Sequence, residues 1–487
     1  MVATAAETAY KLFMGGSWVE AESGKTFQVV NPATLEPIAT VPDAGRADMQ
    51  RAIDLAAASQ PSWGNSVAKD RARILSDAAR QMHAEKDKLA RIMTEEEGKP
   101  LAESTGEITY AAAFLEWFAG EAERVYGMTI PPLTPVKRIL ALKRPVGVTA
   151  AITPWNFPAA MITRKLGAAL AAGCTMVIKP AEMTPLTALE MARIFQDVGL
   201  PDGVLSVVTG TDPRALAAAI MEDFRVRKVS FTGSTEVGKI LMKQAADTLK
   251  RLSLELGGHA PFIVFDDADL DAAVENAIYA KMRNMGETCI AANRIFVQRG
   301  IRDEFVKRLV DRMSKLKVGN GLEPGVAVGP LVDEPTFDKV VEHVDDARSK
   351  GGEVMLGGKR ADVGKGYFYE PTVIVDVKED MLISHEETFG PVAGILSFDT
   401  EDEVIARAND TKYGLAGYYF TRDVGRVWRL AEKLEYGILG ANDGAPSAAV
   451  APFGGVKESG FGREGSAFGI DEYLDVKYIS LGGIGQS

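Results

Sequence analysis

Between residues 49 and 123 apolar positions recur three and four apart, with charges filling the gaps; Ile74, Ala78, Met82, Leu89, Ile92 and Met93 follow that spacing. The pattern predicts helices over 49–59, 69–96 and 101–123, each burying one stripe, and this region reads as scaffold. Ahead of them, residues 12–41 alternate short β-like pieces (Phe27-Gln28-Val29-Val30) with turn formers such as Asn31-Pro32, so a small antiparallel element is expected. From Gly147 the pattern changes. Apolar runs at 148–152, 175–178, 204–208 and 228–231 alternate with helical runs at 161–172, 188–198, 213–221 and 238–246. Such alternation predicts a parallel sheet covered by helices, with ligands at the carboxyl ends of its strands.

A second α/β run extends from Ala260 to about Ala449. It has helical patterns at 270–285, 302–316 and 336–350, then strands near Val354, at 372–375 and at 393–398. Residues 138–143 and the tail 473–481 alternate apolar and polar positions, the pattern of edge strands available for pairing between subunits.

The 487 residues exceed one ordinary core, so two or three α/β domains are expected. A net charge of −12 and a pI of about 5.1 exclude a nucleic-acid groove or an anionic membrane surface as the main partner. Two cysteines, Cys174 and Cys289, make no disulfide framework, and the four histidines show no ligand spacing with them, so no metal site is expected. Residues 1–10 lack the basic and apolar blocks of a signal peptide, and the longest apolar run, 166–178, is shorter than the roughly 18 residues of a membrane span. A cytoplasmic location is expected.

Two glycine motifs need weighing. Gly233-Ser-Thr-Glu-Val-Gly238-Lys239-Ile240 follows a strand and opens a helix, as a P-loop does, but Ile240 stands where that loop needs a hydroxyl for Mg²⁺. Gly233 and Ser234 still suit a pyrophosphate at a helix N-terminus. Gly460-Phe-Gly462-Arg-Glu-Gly465 matches a dinucleotide fingerprint, yet too little chain follows for the rest of a βαβ unit of roughly 30 residues. A tight loop packed on another part of the chain is expected there.

Cys289 is by itself either a small buried hydrophobe or a nucleophile. Its context decides between them. Thr153-Pro-Trp-Asn-Phe-Pro158, Lys179-Pro-Ala-Glu182, Leu254-Glu255-Leu-Gly-Gly258, Gly286-Glu-Thr-Cys289, Glu386-Glu387-Thr-Phe389-Gly-Pro391 and Pro452-Phe-Gly-Gly-Val-Lys-Glu-Ser-Gly460 occur in this order across nearly the full length. The set strongly resembles the NAD(P)-dependent aldehyde dehydrogenase superfamily. The resemblance implies a Rossmann-type parallel-sheet cofactor domain (1–125 with 145–256), an α/β catalytic domain (257–449) and a small β oligomerisation element (126–144 with 470–487), assembled as a homodimer or homotetramer.

It also implies roles. Cys289 would attack the aldehyde as a thiolate, Asn156 and the Cys289 backbone N–H would hold the oxyanion, and Glu255 would be the general base that activates the deacylating water. Lys179 and Glu182 resemble the pair that holds the adenine ribose. The Glu182 carboxylate favours NAD over NADP by repelling a 2′-phosphate. Ser234 fits a pyrophosphate contact, Glu387 the nicotinamide ribose, and Phe389 the cofactor wall; Trp155 is either part of the cofactor site or a core aromatic.

Phe114-Leu-Glu-Trp-Phe118, Met161-Ile-Thr-Arg-Lys165 and Gly462-Arg-Glu-Gly-Ser466 are similar to succinate-semialdehyde dehydrogenases. In that branch the far carboxylate of the substrate is received at positions matching Arg164, Arg283 and Ser447, and guanidinium groups suit that work. Arg283 falls off the apolar stripe Leu270, Val274, Ala277, Ile278, Met282 and Met285. Glu287 and Ala291 depart from the branch, which often has glutamine and a second cysteine there. Glu287 is expected to add a negative charge near the thiol, and a disulfide switch is not expected. The loop Asp443-Gly-Ala-Pro-Ser447 also differs, so the substrate is either succinate semialdehyde or another short anionic aldehyde: glutarate semialdehyde, a sulfonated or phosphonated aldehyde, or an oxo-acid semialdehyde. A catalytically silent homologue would not need Cys289, Glu255 and Asn156 together, and CoA-acylating relatives tend to lack the glutamate.

Overall fold

The alternation that begins near Gly147 builds, in the computed structural model, the centre of an eight-stranded sheet; the structure describes residues 8–483. Five parallel strands lie in the order Arg251–Glu255, Val226–Thr232, Val148–Ile152, Met176–Lys179 and Leu205–Val207. Gly460–Phe461 and Leu12–Met14 pair antiparallel on the two flanks, with Ser17–Val19 outermost. Alternate residues serve opposite faces: Met176 and Ile178 enter one apolar cluster while Val177 enters the other. Chain order reverses between Val148–Ile152 and Val226–Thr232, which opens a crevice at their carboxyl ends.

The helix Ala160–Ala172 crosses from Val148–Ile152 to Met176–Lys179 and is buried at every position, Arg164 and Lys165 included. It lies between the sheet and the helices Ala68–Ala84 and Leu101–Ala122. The expected helix 69–96 is two helices, Ala68–Ala84 and Lys86–Glu97. The corner is Glu85, whose carboxylate accepts from the side chains of Gln81 and Arg193. Arg193, 108 residues away, is a partner that periodicity does not announce.

The second sheet runs Glu353–Leu356, Thr372–Val375, Val392–Phe398, Ala292–Gln298, Ala260–Val264, Ala416–Phe420, Ile438–Ala441, parallel except for its first pair. Helix Leu270–Met282 starts at Asp269, whose carboxylate caps the N–H of Ala272. It stops three residues short of the expected 285. Asn284 (φ 50°) and Met285 (φ 54°) are left-handed, and the turn is held by the Asn284 N–H donating to Glu103 at 2.6 Å.

The expected antiparallel element divides. Residues 12–19 extend the large sheet, while Thr26–Val30 and Pro37–Pro42 join Thr8–Ala9 in a separate one. Leu474–Gly482, Lys137–Pro145 and Met128–Ile130 form an antiparallel ribbon with Val476 and Tyr478 exposed. Residues 1–7 and 484–487, into which the expected first and last segments run, lie outside the described residues. The second glycine motif is the tight loop expected: Gly460–Phe461 pairs with Leu254 and Glu255, and a Cβ on Gly460 would meet the Leu254 carbonyl at 2.0 Å. Among the described residues no helix is long and apolar enough to cross a membrane.

Candidate active site

The two sheets meet at the crevice. Carboxyl ends of the first sheet supply Trp155 and Asn156, Gly233 and Ser234, and Glu255; segments entering strands of the second supply Cys289, Glu387 and Phe389. A cavity of about 240 Å³ is lined by Trp155, Asn156, Gly233, Ser234, Cys289, Glu387 and Phe389, so residues far apart in sequence share one space.

The loop bearing Cys289 is pressed against two glycine-bearing stretches. Gly286 has φ 80°, and a Cβ there would stand 2.2 Å from the Gly390 carbonyl; a Cβ on Gly258 would stand 2.0 Å from that of Cys289. Asn156 is fixed from both ends. Its Nδ2 donates to the Glu287 carbonyl at 2.9 Å, while its own carbonyl accepts from Lys99 Nζ at 2.6 Å and Asn284 Nδ2 at 2.9 Å. One Nδ2 hydrogen is therefore used in orientation, and the second is available to an oxyanion. Burial pushes the Cys289 thiol up to about 12; the carboxylates of Glu387 and Glu255 add to this and Arg164 opposes it. At neutral pH the sulfur is protonated, and reaction requires a group to take its proton.

Glu255 ends its strand 2% exposed, and neither carboxylate oxygen has a hydrogen-bond partner among the described residues. Burial, reinforced by Glu464, raises its carboxyl well above the usual range. A buried carboxyl left unpartnered is suited to exchanging protons with a thiol or water beside it.

Lys179 Nζ donates to Glu182 at 2.8 Å on the strand next to Val148–Ile152, and the N–H of Thr153 donates to the Lys179 carbonyl at 3.1 Å. The pair thus flanks the crevice without lining the 240 Å³ cavity. Ser234 caps the helix Thr235–Ala245, its Oγ accepting from the Val237 N–H, so the helix N-terminus opens on the cavity. Trp155 and Phe389 meet edge to face, 5.5 Å apart, and Phe389 is held at φ 57°. Trp155 is a cavity wall, not a core residue. Glu387 accepts from the Gly258 N–H at 3.0 Å; burial raises its carboxyl to about 7 against that bond and Lys339 and Lys281.

A second cavity, of about 510 Å³, lies beyond Phe157, the residue after Asn156, and is lined by Glu103, Tyr110, Phe157, Arg283, Ala445 and Ser447 among others. The Arg283 guanidinium stands 4.8 Å from the Phe157 ring and makes no hydrogen bond or ion pair with another described residue. Arg164 lines neither cavity. It is 1% exposed, donates to Tyr110 Oη at 2.5 Å and approaches Glu464 at 3.4 Å.

Helix Leu101–Ala122 is therefore more than scaffold. Glu107 Oε2 accepts from Lys99 at 2.6 Å and its Oε1 from the N–H groups of Ala159 and Ala160, tying Asn156 to the start of the following helix. Glu103, Glu107 and Tyr110, spaced four and three apart, were the available signal: polar residues on one helical face. Glu287 is turned away from the cavity that Cys289 lines. Its side chain is fully buried and accepts from the Val332 N–H at 3.1 Å; burial, with Glu97 nearby, raises its carboxyl well above the usual range.

Residues 18–479 match the model of the aldehyde dehydrogenase family. The chain is 55% identical over 472 residues to a glutarate-semialdehyde dehydrogenase of Pseudomonas aeruginosa, covering 97% of each chain. It is 53% identical over 469 residues to a succinate-semialdehyde dehydrogenase of Escherichia coli (strain K12) whose name specifies NADP(+), covering 96% of this chain and 97% of that one. The crystal structure of a succinate-semialdehyde dehydrogenase from Burkholderia pseudomallei superposes with a TM-score of 0.96 at 54% identity, covering 97% of this chain and 98% of that one. Motif order, site geometry and these likenesses agree over nearly the whole length, and the chain belongs to the aldehyde dehydrogenase family.

Proposed function

We propose that this protein oxidises a short aldehyde carrying a distal anion, succinate semialdehyde foremost and glutarate semialdehyde as the close alternative, to the acid with NAD. The observation that carries the reading is Arg283, a guanidinium without a polar partner among the described residues, facing a 510 Å³ cavity beyond the oxyanion amide. An uncommitted guanidinium is costly to shield from water unless a ligand anion completes it. The relatives' names, glutarate- and succinate-semialdehyde dehydrogenase, support the same substrate class.

The donor set fits a nicotinamide dinucleotide. Lys179 and Glu182 suit ribose hydroxyls, the helix N-terminus at Ser234 suits a pyrophosphate, Glu387 suits a second ribose, and Trp155 with Phe389 offers an aromatic wall. The Glu182 carboxylate disfavours a 2′-phosphate, which supports NAD, although one relative's name specifies NADP(+). When bound, the dinucleotide supplies the hydride acceptor.

The chain's own groups do the rest. Glu255 takes the Cys289 proton as Sγ bonds to the aldehyde carbon, and the carbonyl oxygen becomes an oxyanion facing Asn156 Nδ2 and the Cys289 N–H. After oxidation the acyl group is a thioester on Cys289. Glu255 passes the thiol's proton to solvent and then takes a proton from water; the hydroxide adds to the acyl carbon, and the C–S bond breaks to release the acid and the thiolate, which regains a proton from Glu255. The ribbon of Leu474–Gly482 and Lys137–Pro145, with exposed Val476 and Tyr478, supports a homodimer or homotetramer.

A panel of four-carbon aldehydes with carboxylate, sulfonate, phosphonate or no distal anion, assayed for reduced cofactor with NAD and NADP, tests the proposal. A kcat/KM no higher for the anionic members than for the neutral one would overturn it.

A further inference from the structure

Arg164 is a cation that the substrate cavity does not expose. Its helix is buried at every position, its guanidinium stands 4.2 Å from the Phe453 ring and 4.9 Å from that of Phe114, and its Nη2 donates to the phenol oxygen of Tyr110 at 2.5 Å. Tyr110 Oη in turn shares a hydrogen bond with Ser447 Oγ. Tyr110 and Ser447 line the 510 Å³ cavity and Arg164 does not.

The chemistry of the three groups sets the direction of the chain. A guanidinium only donates, so it occupies an acceptor position on the phenol oxygen. The Tyr110 proton is then directed to Ser447 or to the cavity, and the Ser447 proton is free when its oxygen accepts. One proton is used between the two hydroxyls, so the pair has one donor left for the cavity. Glu464 stands 3.4 Å from Arg164 and also pairs with Lys165, and the buried Glu255 carboxyl faces the same two cations. The guanidinium bonded to the phenol oxygen strengthens the phenol as a donor.

We infer that Tyr110 is a specificity-determining residue: joined to Ser447 by a hydrogen bond, it presents to the distal anion of the substrate the one hydroxyl donor that the pair has free, polarised by Arg164, while Arg283 meets that anion directly. Arg164 acts through the phenol and is a positioning residue. The inference rests on the proposed oxidation of an anionic aldehyde.

Tyr110→Phe keeps the ring that packs edge-on against Phe114 at 5.0 Å and removes only the hydroxyl. The measurement is the ratio of kcat/KM for succinate semialdehyde to that for butanal, in the wild type, Tyr110→Phe and Arg283→Ala. In Tyr110→Phe the ratio should fall about ten- to a hundredfold, the loss of one hydrogen bond to a charged group, and the fall should lie mainly in KM. An equal loss on both aldehydes, as a merely structural role would give, overturns the inference. So does a ratio retained in Tyr110→Phe and lost in Arg283→Ala; the proposed substrate class would then stand and Tyr110 alone would fail. A wild type with no preference for the carboxylate removes the substrate class and the inference with it.

Discussion

The backbone of Gly258 touches the backbone of Cys289: a Cβ at Gly258 would stand 2.0 Å from the carbonyl oxygen of Cys289. Gly258 follows Glu255 by three residues, so the segment carrying Glu255 and the loop carrying Cys289 are in direct contact. The Gly258 N–H also donates to Glu387, which brings a third motif to the same point.

Gly258→Ala should therefore act on chemistry more than on folding. The clash is with backbone, which cannot swing aside as a side-chain end would, so the Cys289 loop must shift. A displacement near 1 Å at a reacting atom costs on the order of a hundredfold in rate. Steady-state kinetics should show that loss in kcat with a cooperative melt retained. An unchanged kcat would mean that the loop has slack the contact does not suggest.

Glu255→Gln should separate the two halves of the reaction. Its buried carboxyl is raised well above the usual range, so the base form grows in as pH rises, and the wild-type steady rate should climb with pH over the neutral and alkaline range. The Cys289 thiol, raised to about 12, adds an ascending limb of the same sign to acylation. In the variant, rapid-mixing assays should show a residual burst of reduced cofactor followed by a steady phase slowed about a hundredfold or more, with a flattened pH profile. A wild-type-like steady phase would remove Glu255 as the base for deacylation.

How far the site was legible in sequence follows from where each residue gets its partners. Asn156, Glu255 and Cys289 sit in short stretches between strand and helix patterns, and their roles are recognisable from the motifs. The parallel strands are legible because burial on both faces leaves continuous apolar runs such as Met176–Lys179. Arg164 is different. Its burial depends on Phe114, Tyr110 and Phe453 from three other parts of the chain, and no local pattern states that a charged residue faces inward. The left-handed turn at Asn284 depends on Glu103, and the raised carboxyl of Glu287 on its burial and on Glu97. What sequence missed is the set of buried polar contacts whose two ends lie on separate elements.

Lys99 is one of these, and its removal should be felt at Asn156. Its ammonium is fully buried, bonded to Glu107 and to the Asn156 carbonyl, each at 2.6 Å. Lys99→Met leaves the Glu107 charge without its partner, which costs roughly 3–5 kcal/mol of stability. The double variant Lys99→Met with Glu107→Gln removes that charge and should regain much of the stability by thermal melting. It should not regain kcat, because the Asn156 carbonyl still lacks its donor; a loss of about tenfold or more is expected for a loosened oxyanion amide. Recovery of kcat along with stability would show that Lys99 serves only the charge pair.

Glu287→Gln tests whether that buried side chain is held neutral. An unfolded glutamate titrates near 4.5, whereas the folded Glu287 carboxyl is raised well above this, chiefly by burial, and its neighbour Glu97 to about 7. Above 4.5 the native state keeps protons that the unfolded chain has lost. Stability is therefore greatest below the unfolded value and declines as pH rises toward the folded one, by about 1.4 kcal/mol per pH unit for one such group. Glutamine is neutral throughout and retains an oxygen for the Val332 N–H. Melting curves should place the variant close to wild type near pH 5 and above it near pH 8.5, with the slope that both proteins keep due to the other raised carboxyls, Glu97 and Glu387 at about 7 and Glu96 at about 8 among them. Parallel curves for the two proteins across this range would mean that Glu287 is ionised in the native state. Glu287 would then be the negative charge beside the catalytic loop that its position in the sequence suggested.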